Sequence, residues 1–222
     1  MTEPWVGDRT ALPRSFYRRD PRVVAPELLN KLLVAGARAG RIVEVEAYCG
    51  SEDPGSHAYR GLTPRNAVMF GPPGRLYVYR SYGVHWCANA VCAPDGVGEA
   101  VLIRALAPVS GADEMREARS RGQIHPLAER DLCRGPGRLC QALGISIEHN
   151  GADLVAGDRG VRILDDGMAP PDEPGVSVRI GLTKGAEHPW RFFVPGDRHV
   201  SGRVSALSRG AAPAGRGADP AP

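Results

Sequence analysis

Hydrophobic and polar positions along the chain change period from block to block. Val23, Val24, Leu28, Leu29, Leu32 and Leu33 recur at helical spacing behind Asp20-Pro21, a capping acid followed by proline at the first helical position. This predicts an amphipathic helix to about Leu33, after which Gly36 to Gly40 turns the chain. The next block, Arg41-Ile-Val-Glu-Val-Glu-Ala-Tyr48, alternates with a period of two. Val43, Val45 and Ala47 form one face, expected to meet the core, while Ile42, Glu44, Glu46 and Tyr48 form the other. On a strand the two glutamates sit about 6.6 Å apart at Cα, and like charges that close in a concave, partly dry place push one pKa upward. That is the condition for a general base. The alternative is an edge strand with a solvated glutamate face.

Gly50 to Pro73 has no sustained alternation and is rich in Gly, Pro, Ser and Asn. Loops this long are disordered or functional, and this one holds His57, Tyr59, Arg60, Arg65 and Asn66. Arg65 and Asn66 could equally brace the loop's own backbone. Arg75 to Cys92 reads as a β-hairpin with Ser81-Tyr82-Gly83 at the bend, Tyr77 and Tyr79 on one face of the first arm, and His85, Cys87 and Asn89 on one face of the second. Tyr82 at the tip either meets a partner or folds back on the hairpin. The apolar strand Ala100 to Leu106 carries one charge, Arg104, whose acceptor is either a structural carboxylate or a ligand. Gly111 to Ala128 is charged and helix-like. In Cys133 to Gly144, Arg134 and Arg138 among glycines at a helix start suit a phosphate, a motif weak by itself. Short strands follow at Arg162 to Asp166 and Val176 to Ile180, and Trp190-Arg191-Phe192-Phe193 is expected to close the sheet with core aromatics.

Composition narrows the class. With 222 residues and 42% hydrophobic content the chain suits one domain, read as 15–205 between a flexible lead at 1–14 and a disordered Ala/Gly/Pro-rich tail at 206–222. Net charge of +3 is compatible with a polyanionic partner and too mild to prove one. Five cysteines without a C-x-x-C pair, and no signal peptide, suggest reduced thiols in cytoplasm, and no apolar run approaches the roughly 18 to 20 residues of a membrane span. The histidines and cysteines match no zinc pattern, and no dinucleotide fingerprint, P-loop or nucleophile elbow occurs. No metal and no cofactor are expected.

RIVEVEAY, EDPGSHAYRGLTPRNAVMFGPPGRLYVYRSYGVHWCANAV, VLIRAL, GPGRLCQALGI and RIGLTKGAEHPWRFFVPG together resemble the bacterial form of the alkyladenine (3-methyladenine) DNA glycosylase family, over Tyr17 to Ser205. The resemblance implies an α+β fold, a single mixed domain around a curved antiparallel sheet from which a DNA-intercalating β-hairpin protrudes. It implies a monofunctional glycosylase of base excision repair that flips alkylated or deaminated purines out of double-stranded DNA, as a monomer, and leaves an abasic site. Glu46 would activate water; Tyr48, His57 and Tyr79 would line the base pocket; Asn89 would contact the base; Arg104 would lie near the nucleotide and water; Tyr82 would fill the space left in the duplex. Glu44 inherits no role, and Cys49 and Arg80 depart from the family pattern. The chemistry agrees: purines alkylated at N3 or N7 carry positive charge that aromatic faces attract, and a carboxylate beneath an oxocarbenium-like sugar stabilises charge while deprotonating water. Two other classes stand beside this one, a noncatalytic nucleic-acid-binding module and a hydrolase of free nucleosides.

Overall fold

The computed structural model describes residues 9–120 and 127–202. Nine strands make one antiparallel sheet: β1 (Thr10–Ala11), β2 (Leu32–Ala35), β3 (Arg38–Tyr48), β4 (Leu76–Ser81), β5 (His85–Cys92), β6 (Glu99–Ser110), β7 (Val161–Asp165), β8 (Gly175–Ser177) and β9 (Arg191–Phe193). Their order is β1-β7-β2-β3-β6-β5-β4, with β9 on β3 and β8 on β9, and the sheet curls into a half-barrel. The strand with the glutamates is central. β6 runs along one of its edges, and the other is shared by β2 at Arg38–Arg41 and β9 at Glu44–Glu46.

Helices α1 (Arg14–Tyr17), α2 (Pro21–Leu28), α3 (Ala112–Ser120) and α4 (Pro136–Leu143) accompany the sheet. Asp20 caps α2 as expected, its carboxylate accepting from Arg22 N–H at 2.7 Å. The helix ends five residues before Leu33, however, and Leu32–Ala35 is a strand. The reason is where the leucines go: Leu33 joins the main core, while Leu32 packs with Val34, Ala39 and Leu164 in a separate cluster. Adjacent residues that must reach opposite buried layers require an extended chain. Asn30, at φ 67°, makes the break.

Strand β3 begins at Arg38, so the turn is shorter than the span Gly36 to Gly40. Its alternation is interrupted. Ile42 pairs with Leu106 and Glu44 with Ala105, which leaves Val43 bulged, and the next step, Val45 to Ile103, leaves Arg104 bulged on β6. Ile42 therefore joins Val45 and Ala47 in the main core and does not share a face with the glutamates, while Val43 packs with Ala105, Phe193 and Val200. The main core is filled by Val24, Ala25 and Leu28 of α2, Met115 of α3 and Leu139, Cys140, Ala142 and Leu143 of α4.

The long loop contributes Ala58 and Met69 to a second cluster with Tyr77, Val91 and Ala100. It is ordered by short 3₁₀ turns at Gly50–Glu52 and Ala67–Phe70, and by Asn66, whose amide donates to His57 O and Gly61 O and accepts from Thr63 N–H. Strand β8 stops at Ser177 rather than Ile180, because the Ile180 amide is spent on Glu46. In the block at 190–193, the most deeply buried residue is the arginine: Arg191 is 1% exposed, whereas Trp190 and Phe192 are half-buried. All five cysteines are free and buried. Within the expected lead, Thr10–Ala11 pair with β7. The tail at 206–222 lies outside the described residues, as do 121–126 of the charged stretch. Among the described residues no helix is long and apolar enough to cross a membrane.

Candidate active site

Glu44 and Glu46 are both fully buried, which rules out a solvated edge. Glu46 Oε2 accepts from Tyr48 Oη at 2.9 Å, and Oε1 accepts from Ile180 N–H at 2.8 Å with Arg104 Nη1 at 3.1 Å. Glu44 accepts from Arg104 Nε at 2.8 Å, Arg191 Nε at 2.7 Å, Ser201 N–H at 2.5 Å and Ser201 Oγ at 3.0 Å. Arg104 thus hydrogen-bonds Glu44 and forms an ion pair with Glu46. The acceptor that its apolar strand demanded is a pair of acids, and the expected repulsion between bare glutamates gives way to alternating charge. The compensating bulges at Val43 and Arg104 bring this about by placing the guanidinium beside β3.

Tyr48, His57, Met69, Tyr77, Tyr79, Asn89 and Leu182 line a small cavity of ≈ 70 Å³. It adjoins a wider cleft bordered by Tyr48, His57, Tyr79, Tyr82, Cys87, Arg104 and Ile180. The hairpin register sets Tyr77 opposite Asn89 and Tyr79 opposite Cys87, so both arms present the predicted residues to one side. Tyr77 and Tyr79 stack with ring centroids 5.5 Å apart, and the His57 ring meets Tyr79 edge-on at 4.3 Å. His57 Nδ1 lies 3.1 Å from Tyr77 Oη, and Asn89 Nδ2 donates to Tyr77 O at 3.0 Å.

Burial raises the phenols of Tyr48 and Tyr79 far above the usual tyrosine range, and lifts Tyr77 to about 12. His57, though partly exposed, is held below its ordinary value by the ring's packing and then by the charge of Arg65. Burial thus disfavours charge on the wall, as phenolate at the tyrosines and as imidazolium at His57.

At the rim, Tyr82 is 88% exposed and does not fold back. Tyr82 and Gly83 take φ of 49° and 68°, and Val84 N–H donates to Ser81 O at 3.0 Å to close the turn. A bulky side chain in the left-handed region is uncommon. Behind the hairpin, a Cβ at Gly137 would lie 2.7 Å from that of His85, so glycine lets the start of α4 approach the second arm. Arg134 Nε donates to Val200 O, and Arg138 is exposed.

The family model for methylpurine-DNA glycosylase matches residues 15–198. The chain belongs to the methylpurine-DNA glycosylase family. It is a monofunctional DNA glycosylase of alkylation repair, with DNA as substrate. A protein of Burkholderia cenocepacia whose name assigns it as a 3-methyladenine DNA glycosylase is 56% identical over 90% of this chain and 95% of its own. Similarly named proteins of Nitrobacter winogradskyi and Rhodopseudomonas palustris strain HaA2 are 51% and 50% identical, each over 86% of this chain and over 86% and 90% of their own.

Sequence reasoning missed part of the glycosylase's site. Arg179 and Asp53 form a fully buried pair, with Nη1 to Oδ2 at 2.5 Å and Nη2 to Oδ1 at 2.7 Å, and Arg179 also donates to Ala47 O and Gly185 O. The guanidinium carbon lies 4.6 Å from the Tyr48 ring centroid and 5.0 Å from that of Trp190. This pair ties the loop after β3 to the segment that carries Ile180 and Leu182. The signal was present: like Arg104, Arg179 is a charge flanked by branched apolar residues, Val178 and Ile180.

Proposed function

We propose that this protein flips an alkylated or deaminated purine from duplex DNA into the cavity and hydrolyses its N-glycosidic bond, with Glu46 as the base that takes a proton from water. The carrying observation is a fully buried carboxylate, hydrogen-bonded by Tyr48 and Ile180 and ion-paired with Arg104, all three of which border a cleft rimmed by the exposed Tyr82. Water attacks C1′ as the glycosidic electron pair leaves with the base, and Glu46 accepts the water's proton. The carboxylate also stabilises the cationic sugar while that bond breaks. Arg104, bonded to Glu46, stands beside the nucleotide and its water. Tyr48, His57 and Tyr79 sandwich the base, Asn89 reads its edge, and Tyr82 fills the vacated stack. Extrusion costs a few kcal/mol, least for damaged or mispaired bases. The enzyme works as a monomer on damaged purines in the bacterial chromosome, consistent with its bacterial relatives.

Duplexes carrying single 3-methyladenine, 7-methylguanine, hypoxanthine or ethenoadenine lesions test this reading. Alkali-labile abasic sites should accumulate with at least one lesion, and free nucleosides should be untouched. Binding without abasic sites would make the chain a binding module, and faster turnover of free nucleosides would make it a nucleosidase.

A further inference from the structure

We infer that Glu44 is a positioning residue for the chemical step, the hub from which both partners of Glu46 Oε1, the Ile180 amide and the Arg104 guanidinium, are held. One tether is direct, because Arg104 reaches Glu44 through Nε and Glu46 through Nη1. The second runs through Arg191. Its Nε is on Glu44 at 2.7 Å, its Nη1 donates to Ser177 Oγ at 2.8 Å, and its Nη2 donates to Ser201 O at 2.7 Å. Ser177 ends β8, three residues before the Ile180 amide that donates to Glu46. The buried series Arg191, Glu44, Arg104, Glu46 alternates in sign, and side chains of all four are less than a tenth exposed. Such an array fixes geometry where a lone arginine would collapse onto the nearest carboxylate.

Removing the Glu44 charge leaves two buried guanidinium groups with Glu46 as the one carboxylate, among the described residues, paired with the array. Arg104 is then drawn fully onto Glu46, occupying the acceptor meant for water. The effect falls on the proton transfer, not on DNA capture, because Glu44 borders neither the cavity nor the hairpin tip.

This inference rests on Glu46 being the base, and a double-mutant cycle separates the two. Glu44→Gln should lower the single-turnover excision rate by about 10- to 100-fold, the scale of a displaced catalytic group, while lesion-duplex affinity and base flipping are retained. In a Glu46→Gln background the same substitution should cost nothing further, since its route to the reaction is already gone. Losses that multiply would show a general structural role and overturn the inference, as would an unchanged rate for Glu44→Gln. Ser177→Ala, which cuts the second tether along with the Ser177 Oγ bond to Val178 O and leaves the Arg104 tether intact, covers the case in which Glu44→Gln does not fold. It should give a smaller loss that again vanishes in the Glu46→Gln background, and a persisting loss there overturns the inference. Full activity of Glu46→Gln alone would instead remove the base assignment.

Discussion

In the buried sheet floor, behind the residues that border the cleft, every oxygen of Glu44 and Glu46 has a donor within 3.1 Å, whereas at the rim Tyr82 projects 88% exposed from a two-residue left-handed turn. The floor is central sheet, bonded on both edges; the rim is a hairpin tip. Proton transfer from water needs a carboxylate that does not move, and burial with fixed donors supplies that. Invading a duplex needs an apolar ring without an intramolecular partner. Chemistry and capture are thus expected to fail separately.

The largest effect should come from the floor. Glu46→Gln keeps the shape and cannot accept the water's proton, so single-turnover excision should fall on the order of 10²- to 10⁴-fold with lesion binding intact. Comparable loss of binding would erase the distinction between floor and rim. At the rim, Tyr82→Ser should lower the flipping equilibrium constant by about tenfold, the worth of one base-stacking contact. The bond-breaking rate of the flipped state should barely change. Stopped-flow fluorescence of a reporter base measures the first, and an unchanged constant would reduce Tyr82 to hairpin packing.

Asn89 stands between the two regions, on the hairpin and yet in the cavity wall. A stiff amide at the purine edge would clash with the 2-amino group of guanine, so Asn89→Ser should gain activity on guanine mispairs while keeping hypoxanthine excision. The same change removes the bond to Tyr77 O, at a cost of about 1 kcal/mol. Melting temperature measured beside the two rates separates these, and a folded variant with no gain on guanine removes the discrimination idea.

The smallest effect concerns pH. His57 binds its proton less tightly folded than unfolded, so its contribution to stability is present above about pH 6.5 and is lost as pH falls through the lower folded value. A nuclear magnetic resonance titration should place the His57 midpoint below that of an unstructured histidine, and His57→Gln should flatten this part of the stability profile. A midpoint at or above the free value would mean that the wall does not disfavour the imidazolium.

Local sequence was a good guide wherever a single face decides the matter. The hairpin, its tip, the apolar β6 and the capped start of α2 are all visible as alternation or capping chemistry, because each needs only near neighbours. The side of the sheet taken by Glu44, Glu46 and Tyr48 was legible for the same reason. Ile42 was misassigned because a bulge adds one residue to the count, and alternation cannot register an inserted residue without its partner strand. Leu32 and Leu33 continued a helical spacing that only two separate buried layers could override.

By itself the sequence determined that a carboxylate pair, an aromatic arm and a tyrosine tip belong to one compact sheet, and its long matching blocks determined the family. Tertiary structure alone decided which charges meet. Arg104 lies 60 positions from Glu44, Arg191 lies 147 away and Ser201 157 away, distances over which no local pattern carries information. Ion pairs and buried donors are chosen when distant strands come into register, and the desolvation of each charge then leaves few arrangements open. The chain displayed its acids openly; which arginine would answer each of them was settled only by the closing of the sheet.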